Sequence, residues 1–161
     1  MVRRVWGRRG IKVRQPLQLV YEWMYLFMVV DGRKGKLYWT WIDSMKAEMV
    51  SAALNGLKHN TDVEAVVWDG ARSHRSNLVH EVGLPLIELP RYSPELNPAE
   101  RVFEEIRRWI EGKVYGSIKD KAEAVDTYLT NLELKPHRVK ALAGWEWIEQ
   151  NTQHLLEVYA A

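Results

Sequence analysis

The 161-residue sequence contains no cysteine. That excludes a disulfide-stapled scaffold, a thiolate zinc site, an iron–sulfur cluster and a cysteine nucleophile, and it accords with a reducing, cytoplasmic setting. Long apolar runs are missing too. The longest, Trp23 to Val30, falls well short of the roughly 20 residues of a membrane helix, and no secretory pattern precedes it, so no membrane partner is expected. The sequence also lacks a phosphate-binding loop, a dinucleotide fingerprint and a Gly-x-Ser-x-Gly elbow. It shows no internal repeat and no low-complexity stretch. What it does have is apolar and aromatic content, 47% and 11%, too high for disorder and sufficient for the core of one domain.

Acidic residues are absent before Glu22, while Arg3, Arg4, Arg8, Arg9, Lys12 and Arg14 precede it. The overall charge of +2 therefore divides into a strongly basic arm and a body with 17 basic against 21 acidic side chains, near −4. A basic arm is either a solvated start or a contact for polyanionic nucleic acid, where each neutralised phosphate adds salt-dependent affinity. Trp6, Gly7 and Gly10 within it suggest a turn held by one aromatic anchor.

Two apolar segments, 17–30 and 36–42, flank the polar pentad Asp31-Gly32-Arg33-Lys34-Gly35 and predict an antiparallel hairpin. Residues 45–57 space apolar side chains helically, with Ser44 as N-cap and Gly56 near the stop. Residues 65–69 form a short apolar run ending in Asp69 and a Gly-Ala turn, as in a buried strand opening into a site. A short helix over 74–82 and a strand over 84–89 follow. After a loop with three prolines, residues 99–115 read as a helix with Asn97 at its N-cap and Pro98 at its first position. Residues 119–156 read as two or three helices, broken near Pro136 and Gly144. This order predicts a mixed α/β domain.

Asp69, at a strand end, and Glu100, in the first turn of a helix, are the strongest chemical candidates. Two carboxylates delivered this way suit a hard divalent cation, Mg²⁺ or Mn²⁺, which takes oxygen ligands and is usually held by one or two carboxylates plus substrate phosphates. Taken alone, Asp69 serves equally well to start an Asp-Gly turn, and Glu100 to fill the capping box behind Asn97.

The segments Val66-Val67-Trp68-Asp69-Gly70-Ala71-Arg72-Ser73-His74-Arg75-Ser76 and Leu89-Pro90-Arg91-Tyr92-Ser93-Pro94-Glu95-Leu96-Asn97-Pro98-Ala99-Glu100 together resemble the bacterial insertion-sequence branch of the mariner-like transposases. The spacing of the hairpin, of Arg4-Val5-Trp6-Gly7-Arg8-Arg9-Gly10 and of the C-terminal helices extends that resemblance over most of the chain. The resemblance implies an RNase H-like fold and a D-D-E triad that holds two metal ions, cleaving and joining DNA strands. It makes Asp69 the second acid, Glu100 the third, and His74 the histidine accompanying the Asp-Gly-Ala turn. Arg91 and Tyr92 lie where a guanidinium meets phosphate and a ring stacks on a base. With His74, Asn97 and the arm cations they complete the expected DNA-contacting set.

Two departures qualify the match. Only 30 residues separate Asp69 from Glu100, fewer than is common in the superfamily; Glu104 would lengthen the spacing but lies outside the motif. In the family, the first triad aspartate precedes the basic Trp-containing segment, which here begins at Met1. The expectation is a basic arm or linker over 1–16 and a catalytic domain over 17–161 that starts one strand late, without its first acid. Asp31 and Asp43 read as turn or cap residues rather than substitutes. The missing strand would leave open sheet edges, which points to a homodimer, strand exchange or an upstream transposase fragment as partner. Three functions follow: a catalytic fragment with little or no activity alone, a DNA-binding regulatory truncation, or half of a split or frameshifted enzyme.

Overall fold

Because the hairpin strands pack against a core on each face, they read as near-continuous apolar runs rather than an alternating pattern. In the computed structural model, which describes residues 9, 21–71, 76–90 and 93–160, β1 (Tyr25–Asp31) pairs antiparallel with β2 (Lys36–Ile42), in register from Tyr25 opposite Ile42 to Asp31 opposite Lys36. The turn between them closes through a bond from the Gly35 N–H to the Asp31 carbonyl at 2.8 Å. Asp31 Oδ1 also accepts the N–H groups of Arg33 and Lys34 at 3.0 and 2.8 Å. Gly35 takes φ of 72°, a conformation open to glycine at no steric cost. A Cβ there would also meet Pro136, and one at Gly32 would collide with the Ala143 carbonyl.

Phe27, Val29, Tyr38 and Ile42 point into a first core with α1 (Ala47–Asn60), β3 (Val66–Trp68) and α2 (Asn77–His80). Leu26, Met28, Val30, Leu37, Trp39 and Trp41 point the other way, into a second core with α3 (Pro98–Ile110), α4 (Ile118–Glu133) and α5 (Pro136–Ala143). A last helix, α6, covers Glu146–Ala160. Leu54 and Leu129, fully buried in the two cores, illustrate the scale of the packing, about 1.5–3 kcal/mol per buried side chain of this type. No described helix is long and apolar enough to cross a membrane.

Polar pins lock these layers together. Trp39 and Trp41, on one face of β2, both donate their indole N–H to Asp126 Oδ1 of α4 at 2.9 Å. Asp62 receives Lys34, Lys36 and the Tyr38 hydroxyl. Those bonds, the Tyr38 hydroxyl's first, hold its carboxyl well below the usual carboxylate range. Glu22 Oε2 accepts the Ile118 N–H at 2.9 Å, fixing the segment before β1 to the start of α4.

The mixed α/β expectation holds, but the strands form two sheets. β3 pairs in parallel with β4 (Leu86–Glu88), and among the described residues no ladder joins that pair to the hairpin. Boundaries shift as well. The first strand starts at Tyr25 rather than 17, since the residues described before it have no ladder partner. α1 starts at Ala47 after Lys46, so Ser44 is not its cap, and Gly56 lies inside the helix, which continues to bury Leu57. α2 is confined to Asn77–His80. α3 ends at Ile110, before Gly112 at φ 72°. The C-terminal region forms three helices, with Pro136 opening α5 and Gly144 following it.

Candidate active site

Val66 and Trp68 are buried in the first core, so β3 is anchored up to its last residue and delivers Asp69 at its carboxyl end. The Leu89 N–H donates to the Trp68 carbonyl at 2.8 Å, holding the ends of β3 and β4 side by side. Asp69 is exposed, and its Oδ1 accepts the Ala71 N–H at 3.3 Å. The turn geometry expected of Asp-Gly is thus present, and it orients the carboxylate at the strand end.

From the same end of the pair, the chain leaves β4, makes a 3₁₀ turn over Pro94–Leu96 and enters α3. Asn97 caps that helix as expected, its Oδ1 accepting the Ala99 N–H at 3.0 Å, and Pro98 occupies the first turn. Ala99, Val102 and Ile106 seat one face of α3, which fixes the helix and turns Glu100 outward. Glu100 Oε2 receives Arg107 Nη2 at 3.3 Å, an arrangement absent from the sequence-based expectation. Arg107 is 64% exposed, so the pair belongs to a class contributing under about 1 kcal/mol, and a cation can displace it at little cost. Glu104 is engaged by Arg101 at 3.5 Å, one turn further along.

Asp69 thus sits at the carboxyl end of β3, where open α/β sheets place ligands, while Glu100 stands twelve residues beyond β4, on a helix whose buried face joins the second core. The chemistry of the two carboxylates suits Mg²⁺ or Mn²⁺. Among the described residues, no group of three or more His, Asp or Glu side chains could hold a metal ion. Asp31 is committed to the hairpin turn. Asp43 lines a cleft of about 670 Å³ between β2 and α1 that includes neither Asp69 nor Glu100. Glu88, which sequence reasoning passed over, pairs in register with Trp68 and so falls on the alternate face from Asp69.

Of the expected DNA contacts, Arg9 is exposed and Asn97 is the helix cap. Arg3, Arg4, Arg8, Lys12, Arg14, His74, Arg91 and Tyr92 lie outside the described residues. Residues 1–122 match the model of a family described as DDE superfamily endonuclease, a span that includes Asp69 and Glu100. No curated protein matches the chain.

Proposed function

Because the chain belongs to the DDE superfamily endonuclease family, we propose that it is the RNase H-like catalytic domain of an insertion-sequence transposase, with Asp69 and Glu100 as two of its three metal-binding acids. The observation that carries this reading is the family match over residues 1–122, a span that holds Asp69 at the end of β3 and Glu100 in the first turn of α3. DNA is the substrate that family membership implies. Two divalent ions, when bound, activate the attacking oxygen and stabilise the leaving one during in-line displacement at a phosphodiester. The residues' own part is positional. Asp69 lies on a strand end fixed by the core, and Glu100 in a helix turn fixed by the Asn97 cap and the buried face of α3.

The third acid is assigned to a strand between β1 and β3. Among the described residues, each of these strands has one neighbour, while Phe27 and Val29 share a core with Val66 and Trp68. A strand inserted there would join the two sheets. On this reading residues 1–16 are a basic arm for DNA, and Asp69 and Glu100 without a third acid support little or no cleavage. The six basic residues before Glu22 favour a second reading, a DNA-binding regulatory role without strand cleavage.

The test incubates the chain with DNA carrying transposon ends and Mg²⁺, and measures Mn²⁺ binding by calorimetry in parallel. Asp69→Ala and Glu100→Ala are expected each to weaken Mn²⁺ binding about tenfold, with nicking at background in all three proteins. Vigorous nicking by the unaltered chain, lost in Asp69→Ala, would refute the inactivity. Unchanged Mn²⁺ binding in both variants would refute the assignment of the acids. Salt-sensitive DNA binding without any metal response favours the regulatory reading.

A further inference from the structure

Tyr21, Trp23 and Tyr25 occupy alternate positions leading into β1, and they are 83%, 77% and 41% exposed. Neither core includes them. Glu22, between the first two, reaches α4 through the Ile118 N–H, on the side of the hairpin where Leu26, Met28 and Val30 pack. Residues 21–24 lie ahead of the ladder, and alternation carried back from Leu26 through Glu22 would place the three aromatic residues on the opposite side. There the first core covers Phe27 and Val29 and goes no further.

An extended chain advances about 3.3 Å per residue, so alternate rings stand about 6.6 Å apart. Stacked bases lie about 3.4 Å apart, and two such spacings span the gap between rings once the strand is drawn out to about twice its stacked rise. One flat base thus fits between each successive pair of rings. Tyr and Trp combine a broad apolar face with a polar tip, suited to a partner stacked on one side and wet on the other. The only acid in this stretch, Glu22, has its carboxylate turned to the α4 N-terminus, and the sequence before it holds six basic residues and no acid. Rings that follow in sequence on a basic segment without acids match the charge and the bases of an unpaired polyanionic strand.

We propose that Tyr21, Trp23 and Tyr25 form a stacking ladder for the bases of an unpaired DNA strand. The proposal rests on the reading of the chain as a DNA-processing domain and adds a site to it. The ladder holds the single strand exposed when an end is frayed or cut, and it is sequence-tolerant because every base offers a π-face.

Fluorescence anisotropy with the whole chain tests this, using an oligothymidylate, an abasic oligomer of equal length and duplex DNA. The unaltered chain is expected to bind the oligothymidylate more tightly than the abasic strand. In the Tyr21→Ala/Trp23→Ala double variant that preference should fall about tenfold or more, because each ring removed takes away a stacked base. Binding to the abasic strand should stay constant, and Trp23→Phe should retain most of the preference. A double variant with unchanged preference overturns the ladder while leaving DNA binding intact. Failure of the unaltered chain to bind any of the three probes overturns the DNA reading and the ladder together. A double variant that loses self-association in sedimentation but keeps its base preference assigns the rings to a second copy and also overturns the ladder.

Discussion

Replacing Asp126 with alanine tests how the hairpin and α4 are held together. Its Oδ1 accepts two indole N–H groups, from Trp39 and Trp41, each at 2.9 Å and partly buried. A hydrogen bond to a charged acceptor contributes about 1.5–3 kcal/mol. Partial exposure lets water reach the abandoned indoles, and alanine improves helix propensity by up to about 0.7 kcal/mol, so the net loss should be about 2–3 kcal/mol. For a chain of this size that corresponds to about 5–10 °C in Tm. Urea denaturation followed by far-UV circular dichroism gives the difference directly, with an unchanged m-value showing that the unfolded state is not the cause. Asp126→Asn keeps one acceptor oxygen and should lose about half as much. Trp39→Phe and Trp41→Phe each remove one donor while keeping a ring, and each should couple to Asp126→Ala by about 1 kcal/mol. A stability within about 0.5 kcal/mol of the parent, with no coupling to either tryptophan, would refute the reasoning.

Two further outcomes follow from local geometry. Asn97→Ala should cost about 1 kcal/mol through loss of the α3 cap while Asn97→Ser restores most of it, as thermal melts will show; equal losses in both would place the role of Asn97 outside the cap. Asp62 is held below the ordinary carboxylate range by Tyr38, Lys36 and Lys34, so its contribution is present above the unfolded pKa and disappears as pH falls through the folded value. The Tm of the unaltered chain should therefore drop more steeply than that of Asp62→Asn as pH is lowered from about 5 toward about 2, and parallel profiles would contradict this.

Features governed by local chemistry were legible in the sequence. The Asp-Gly…Gly pentad marks the hairpin turn because its glycines fit a close approach and a positive φ. Asn97-Pro98 marks the start of α3 because one residue supplies the acceptor and the other needs no donor. The positions of Asp69 at a strand end and of Glu100 in the first turn of a capped helix could be read because each is written in a few adjacent residues. Nothing local, however, revealed that the four strands would divide into two pairs, since pairing depends on neighbours distant in sequence. The Asp126 pin joins residues 85 and 87 positions away, and no periodicity records it. At Gly56 the local breaker signal misled: an open surface around the glycine and the burial of Leu57 beyond it let α1 continue, at a cost of about 1 kcal/mol relative to alanine.

The glycines of the hairpin turn also decide where the molecule can be re-engineered. A tight β-turn is ordinarily the first place to splice in a tag or open a new terminus, but here Gly35 is buried against Pro136, and Gly32 and Gly144 meet with no room for a side chain on either. An insertion at that turn would pry α5 away from β2 and open the second core. Gly112, at a left-handed corner with nothing within 4 Å of where a side chain would begin, is the place where the chain can be cut, lengthened or labelled while both sheets stay seated.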